Sequence, residues 1–292
     1  MEDTPPAEMA FDAGLVRRLL GTQMPHLADL PLRRVNAGWD NEIWRLGDEL
    51  AVRLPRRAMG APLVVHEQTW LPVLAPVLPL PVPVPLRIGG PSTEYPWAWH
   101  VHRWIEGEGA MDAPLGDSQM AETLGRFLAA LHRPAPPEAP HNPWRGVPLA
   151  DRTEATLQRA ATVRDLVDER AVASLWSELV ETEPWAGPPL WVHGDLHPGN
   201  LVRAGDQLVG VIDFGDLTAG DPATDLAVAW MLFAPADRPV LRDAAGADDA
   251  TWRRARAWAL ALALAYLASS GDSPALRRLG LRTVAAALTA AD

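Results

Sequence analysis

Two short clusters hold the side chains best able to do chemistry. The first, Trp191-Val-His-Gly-Asp195-Leu-His-Pro-Gly-Asn200, presents Asp195 and Asn200; the second, Gly210-Val-Ile-Asp213-Phe-Gly-Asp216, ends an apolar run in Asp213. A carboxylate set beside a hydroxyl can take its proton. An amide oxygen and a second carboxylate are hard donors of the kind Mg²⁺ prefers. One base near two oxygen donors suits phosphoryl transfer, which needs in-line positioning and charge neutralisation more than covalent help. His193, Asp195 and His197 also alternate, and on an extended strand they would share a face, as zinc ligands can. Pro198-Gly199 breaks such a strand, and no further His/Asp cluster completes the site. That argues against a metal-dependent hydrolase. His193 is read as a support of the loop, and His197 as a neighbour of the metal or phosphate.

These residues need elements to position them. Leu201-Val202 and Leu208-Val209-Gly210-Val211-Ile212 predict a hairpin turning near Ala204-Gly205-Asp206, which brings both metal donors to one edge of a cleft. Upstream, Leu15, Val16, Leu19 and Leu20 predict an amphipathic helix, and Leu32–Val35, Glu42–Leu46 and Leu50–Leu54 three strands. Arg53 sits inside the third. All 26 Lys+Arg residues are arginine, so every cationic need of the chain falls to a guanidinium. Leu63, His66, Glu67, Trp70, Leu71 and Leu74 follow helical spacing, with Pro72 set to kink or end the helix. Glu67 is the single acid on that apolar face and needs a partner, for which Arg53 is the candidate. Pro76–Leu86 is too proline-rich for helix or central strand and reads as an extended connector. Trp97, Trp99 and Val101 alternate on a strand leading into residues 103–108. Helical patterns follow over Met120–Leu131, around Thr153–Val180 and after Asp221, with a proline-rich loop at Pro134–Pro148.

Taken together, His-x-Asp-x-x-x-x-Asn and Ile-Asp-Phe-Gly resemble the catalytic and metal-binding segments of kinases. The chain resembles the aminoglycoside phosphotransferase family, the small-molecule branch of the kinase-like fold, from Ala37-Gly-Trp-Asp-Asn41 to Trp230. The resemblance implies an α+β, bilobal protein-kinase-like fold, with an antiparallel sheet lobe in residues 1–105 and a mainly helical lobe in 106–292. It makes Asp195 the catalytic residue and gives Asn200 and Asp213 to Mg²⁺. Arg53, in the lysine place of the Val-Ala-Ile-Lys strand, becomes the α/β-phosphate ligand paired with Glu67. The linker 36–41 would cover the phosphates with backbone N–H groups and the Asn41 side chain. Arg103, Trp104 and Ile105 would form a hinge that meets adenine through its backbone. Asp225 would brace the catalytic loop, with helix capping as the competing account. The chain departs from protein kinases in having Gly38 alone where G-x-G-x-x-G is usual, and in Arg53 itself.

The implied activity is a Mg²⁺-assisted, ATP- or GTP-dependent transfer of phosphate to a small-molecule hydroxyl. The acceptor could be an antibiotic of aminoglycoside, macrolide or nucleoside type, or a metabolite such as an amino alcohol or sugar. Asp216, Glu106 and Glu108 are available to an amine-bearing acceptor. A nucleotide-binding module without catalysis is the alternative.

Bulk composition narrows the field. The 292 residues suit two lobes around a cleft. A net charge of −11 argues against nucleic acid as a partner. With Cys 0, disulfides and thiolate-bound metal are excluded. Met1-Glu-Asp-Thr-Pro-Pro lacks the basic and apolar regions of a secretory leader. The longest uncharged apolar run, Ala257–Ala268, falls short of the ~20 residues that span a bilayer. A cytoplasmic protein without membrane partners is expected.

Overall fold

The structure is a computed structural model that describes residues 4–113, 115–269 and 271–289, and for Asn36 and Ala37 the backbone alone. Met1–Asp3, part of the stretch weighed as a leader, lie outside the described residues. The chain opens with α1 (Ala13–Gln23), started by Asp12, whose carboxylate accepts the Leu15 N–H at 2.7 Å. Its stripe of Leu15, Val16, Leu19 and Leu20 is buried, as the spacing predicts.

That stripe packs on a five-stranded sheet of β1 (Leu32–Ala37), β2 (Asn41–Leu46), β3 (Leu50–Pro55), β4 (Pro85–Gly89) and β5 (Trp99–Arg103). The order is β1-β2-β3-β5-β4 with every pair antiparallel. Trp44, Val52, Leu54, Tyr95, Trp99 and Val101 close the core between helix and sheet. The three predicted strands run a residue or two longer than their apolar alternation, because the ladder of hydrogen bonds outlasts it.

Between β3 and β4 lies α2 (Ala61–Leu74), which buries Val64, Glu67, Leu71 and Leu74. Pro72 lies within it without stopping it, since so near the C-terminal end only one N–H is forfeited. Leu71 and Leu74 belong to the core of the second lobe, and Trp70 meets Trp191 at a ring separation of 5.0 Å. The helix therefore leans on both lobes.

The second lobe begins with β6 (Glu108–Gly109) and α3 (Ser118–Leu131), then α4 (Thr153–Thr162) and α5 (Glu169–Leu179). The stretch around Thr153–Val180 is thus two helices. Asp168 divides it by accepting the Arg170 and Ala171 N–H groups, which starts a new helix. There follow β7 (Leu190–Val192), β8 (Leu201–Ala204), β9 (Gln207–Val211) and β10 (Thr218–Gly220). The predicted hairpin is β8–β9, joined by β6 into a three-stranded sheet, while β10 pairs with β7. Five helices end the chain: α6 (Ala223–Leu226), α7 (Val228–Leu232), α8 (Arg238–Ala245), α9 (Asp249–Ser269) and α10 (Pro274–Thr289). α9 is buried along most of its length and forms the axis of this lobe. Among the described residues no helix is long and apolar enough to cross a membrane. The expected bilobal α+β architecture, a sheet lobe followed by a mainly helical one, is what forms.

Candidate active site

The loop between β7 and β8 is held from behind by one carboxylate. Asp225, fully buried in α6, accepts the backbone N–H of His193 at 2.8 Å and of Gly194 at 2.9 Å. The His132 ring contacts the same carboxylate at 3.1 Å. Asp225 thus grips the loop, and the Ala223 N–H at the start of α6 is capped by Asp221 instead. Gly194 sits at φ +88°, and a Cβ there would come within 2.3 Å of the Asp216 carbonyl, so the residue before Asp195 must be glycine.

His193 joins the two motifs. Its Nε2 donates to the Ile212 carbonyl at 3.0 Å and its Nδ1 accepts the Asp195 N–H at 3.3 Å. This assigns the neutral Nε2–H tautomer. With both nitrogens engaged and the ring packed 4.5 Å from Phe214 at a tilt of 52°, His193 has no lone pair left for zinc. Among the described residues no group of three His, Cys, Asp or Glu could hold a metal, so the hydrolase reading falls. His197 caps the turn at Pro198–Asn200 by accepting the Gly199 N–H at 3.0 Å, and its Nε2 lies 3.6 Å from Asp195.

Asn200 donates through Nδ2 to the Asp195 carbonyl at 2.8 Å. A carbonyl can only accept, so the amide orientation is fixed and Oδ1 is left free for a cation. Asp213 is the one non-glycine among the described residues with positive φ, at 63°. Such a conformation is uncommon and concentrates at functional sites. Together the Asp213 carboxylate and Asn200 Oδ1 form a donor set that suits Mg²⁺, which takes one or two protein oxygens and completes its shell with water or phosphate.

Arg53 reaches across the cleft. Its Nη2 lies 2.6 Å from Asp213 Oδ1 and its Nε 2.7 Å from Glu67 Oε2, and Nη1 has no hydrogen bond or ion pair among the described residues. Enclosure pushes the Asp213 carboxyl upward, but the Arg53 guanidinium overrides it and holds the group below its usual range. Burial drives Glu67 the other way, to about 7, against the pull of Arg53. Behind this pair lie His100 and His102, both buried and pushed toward the neutral form, His102 to about 4. Burial is the main cause, and the charge of Arg53 adds to it.

The turn at 36–41 differs in detail from expectation. Gly38 N–H closes on the Asn41 carbonyl at 2.9 Å, but the Asn41 side chain is buried, its Oδ1 without a partner. Arg56 and Arg57 fasten this turn: Arg56 Nη1 donates to the Gly38 carbonyl and Arg57 pairs with Asp40, each at 2.8 Å. In the hinge segment, the Trp104 N–H is taken by the Glu49 carbonyl at 2.7 Å. That N–H is therefore occupied, and the Arg103 carbonyl is contacted by His102 Nδ1 at 2.8 Å. Ile105 lies directly on Gly210, where a Cβ would approach its Cγ2 to 2.6 Å, so β9 floors the hinge.

Sequence reasoning missed the contribution of the proline-rich loop. Arg145 from that loop stands 3.5 Å from Asp195 Oδ1, and Asn142 Nδ2 donates to Asp216 Oδ1 at 2.7 Å. Tyr266 of α9 packs edge-on against His197 at 5.6 Å. Burial and the nearby Asp195 push the Asp216 carboxyl up to about 6. Glu106 pairs with Arg45 at 3.0 Å, and Glu108 lies exposed in β6. Of the three acids considered for an acceptor, only Asp216 has Asp195 as a close electrostatic neighbour. The loop gave no periodic signal, and its polar residues Glu138, His141, Asn142 and Arg145 stand among prolines in no motif spacing that singles out two of them.

Comparison with known proteins matches the sequence profile of the phosphotransferase enzyme family to residues 31–258. Among solved structures, aminoglycoside 2'-phosphotransferase-IIIa in its GDP complex superposes with a TM-score of 0.71 at 18% identity, over 95% of this chain and 99% of that one. Macrolide 2'-phosphotransferase MphH from Brachybacterium faecium gives 0.64 at 22% identity, over 96% and 99%. The streptomycin–ATP ternary complex of APH(2'')-IIa gives 0.56 at 16% identity, over 95% and 97%.

Proposed function

The chain belongs to the phosphotransferase enzyme family, and from that premise we propose that it moves the γ-phosphate of ATP or GTP to a hydroxyl of a small molecule. The observation that carries the reading is the His193 strut. One imidazole ties the Asp195 N–H to the Ile212 carbonyl, so the base and the carboxylate of Asp213 are held in fixed relation. Asp195 takes the proton of the acceptor hydroxyl as its oxygen bonds to phosphorus and the bond to the β-phosphate oxygen breaks, releasing the nucleoside diphosphate. Arg53 offers Nη1 to the phosphates while Glu67 and Asp213 fix its plane. Asn200 and Asp213 would hold Mg²⁺, which neutralises phosphate charge when bound. The Arg103 carbonyl and the Ile105 backbone meet the base. Cytoplasmic action, where nucleoside triphosphates are held, goes with this reading.

Similar folds have been solved with streptomycin and ATP and as macrolide phosphotransferases, so antibiotics of both kinds join hydroxylated metabolites in the acceptor screen. The test is Mg·ATP and Mg·GTP calorimetry, followed by ³¹P NMR of the same samples with those acceptors. Binding and a new phosphomonoester resonance are expected. Failure of both nucleotides to bind would refute the proposal.

A further inference from the structure

Beyond Asp195 the site is richer in guanidinium than in carboxylate. Arg145, Arg152 and Arg159 lie close enough that Arg145 lowers the proton affinity of both others, and Arg159 that of Arg152. Arg152 is only 6% exposed, and its Nε is buried without an acceptor. Neither the Arg152 nor the Arg159 side chain has a hydrogen bond or ion pair among the described residues. Asp151 offsets the repulsion weakly, and burial with the neighbouring arginines leaves Arg152 at about 10. A guanidinium so enclosed is normally matched by an anion.

The arrangement is built rather than loose. Arg152, at the N-terminal end of α4, and Arg159 are two turns apart on one face, about 10 Å along the axis, a gap that two long side chains can close on one small anion. The loop bearing Arg145 is pinned by Gly146 N–H to Thr224 Oγ1 at 3.1 Å, Asp221 N–H to the Gly146 carbonyl at 2.8 Å and Asn142 N–H to Thr218 Oγ1 at 2.9 Å. Tyr266, whose buried hydroxyl has no partner, stands within electrostatic reach of both Asp195 and Arg145. Asp195 and Asp216 act on Arg145, and Asp151 only weakly on Arg152, and the Arg145–Asp195 contact is a long 3.5 Å.

We infer that Arg152 and Arg159, with Arg145 beside them, form a subsite for an anionic group, a carboxylate or a phosphate, carried by the hydroxyl acceptor. The inference rests on the phosphotransferase reading for the word acceptor; the anion site stands on the arginines alone. Arg145 would then lie between the anchored group and Asp195, which sets the acceptor hydroxyl at the base.

The probe is sodium sulfate, titrated by calorimetry into wild type, Arg152→Gln, Arg159→Gln and the surface control Arg87→Gln. Each is titrated with and without saturating Mg·AMP-PNP, whose own affinity is measured in the same samples. Wild type and Arg87→Gln should bind one sulfate, and either α4-face variant should bind it at least tenfold more weakly. Arg159 is only half-buried, so its variant serves if Arg152→Gln folds poorly. Equal sulfate affinity in all four proteins, or none in wild type, overturns the subsite. Loss of AMP-PNP binding with sulfate binding retained would instead refute the phosphotransferase reading. In the ³¹P NMR screen, hydroxy acids and sugar phosphates should react, with KM raised at least tenfold by Arg159→Gln. This separates an acceptor-borne anion from a free one: sulfate binding with turnover confined to aminoglycosides or macrolides, hydroxylated acceptors that carry no anionic group, overturns the assignment to the acceptor.

Discussion

Asp225→Asn should loosen the loop that carries Asp195 without touching any group proposed to react. Asp225 receives two backbone N–H groups at 2.8 and 2.9 Å, both buried, with a histidine nitrogen at 3.1 Å. The asparagine keeps one oxygen, so one N–H retains an acceptor while the other faces an NH₂. Hydrogen bonds to a charged group contribute about 1.5–3 kcal/mol each, and an orphaned buried donor costs a further ~1–3 kcal/mol. A loss of about 3 kcal/mol follows, a large share of the ~5–15 kcal/mol by which a typical protein is stable. Equilibrium urea unfolding measures it, with the m-value unchanged if only the folded state is affected. The gripped amides belong to His193 and Gly194, so the Asp195 carboxylate should also wander. Misplacement of about 1 Å costs on the order of 10²-fold in rate, so kcat should fall by 10–100-fold while Mg·ATP affinity is kept. A destabilisation below about 1 kcal/mol would mean that the loop holds itself, and the bracing argument would be wrong.

Asp195→Ala should lower turnover by about 10²–10⁴ with nucleotide affinity nearly intact, measured by coupled assay and calorimetry; unchanged turnover would remove Asp195 from the chemistry. Asp213→Ala should abolish the Mg²⁺ dependence of nucleotide binding, and equal Mg·ATP affinity in that variant would sink the metal assignment. His102 is held neutral in the fold, at about 4 against an ordinary 6.5, so the unfolded chain binds more protons between those values and stability must fall as pH drops through that window. Between pH 6.5 and 4.5 its share is about 2 kcal/mol, and His102→Gln should flatten the urea-derived pH profile by that amount. Glu67, raised to about 7, works in the opposite sense, favouring the fold as pH falls from about 7 toward 4.5, and is left in place in the variant.

The fold was legible where chemistry and periodicity agreed. The stripe in α1, the alternation in β2 and β3 and the turn at Gly205 each follow from side-chain spacing, and the two polar motifs told which edge of the hairpin matters. Glu67 could be paired with Arg53 because a single acid on an apolar face demands a cation. Other features depend on distant segments. Nothing local says that the Trp104 N–H will meet Glu49, since that bond is set by how β3 lies beside β5. Nor does the sequence near Asn41 reveal that its amide turns inward while Arg56 and Arg57 fasten the turn. Arg145 reaches the site because Pro140, Asn142 and Gly146 bond to the strand and helix beyond Asp216, partners more than seventy residues away. The break at Asp168 was readable from its capping type, but the apolar spacing on either side concealed it.

A guanidinium in β3 also changes how this protein meets reagents. Nucleotide analogues that mark kinase sites acylate the amine of the strand lysine, and a side chain that stays protonated far above neutral pH offers no such nucleophile. With arginine at every one of its 26 cationic positions, the chain has no ε-amine to acylate anywhere, so profiling of that kind would pass over it whether or not it holds a nucleotide. Arginine-directed dicarbonyls are the matching reagents. Protection of Arg53 from phenylglyoxal by Mg·ATP would report occupancy where amine chemistry is blind.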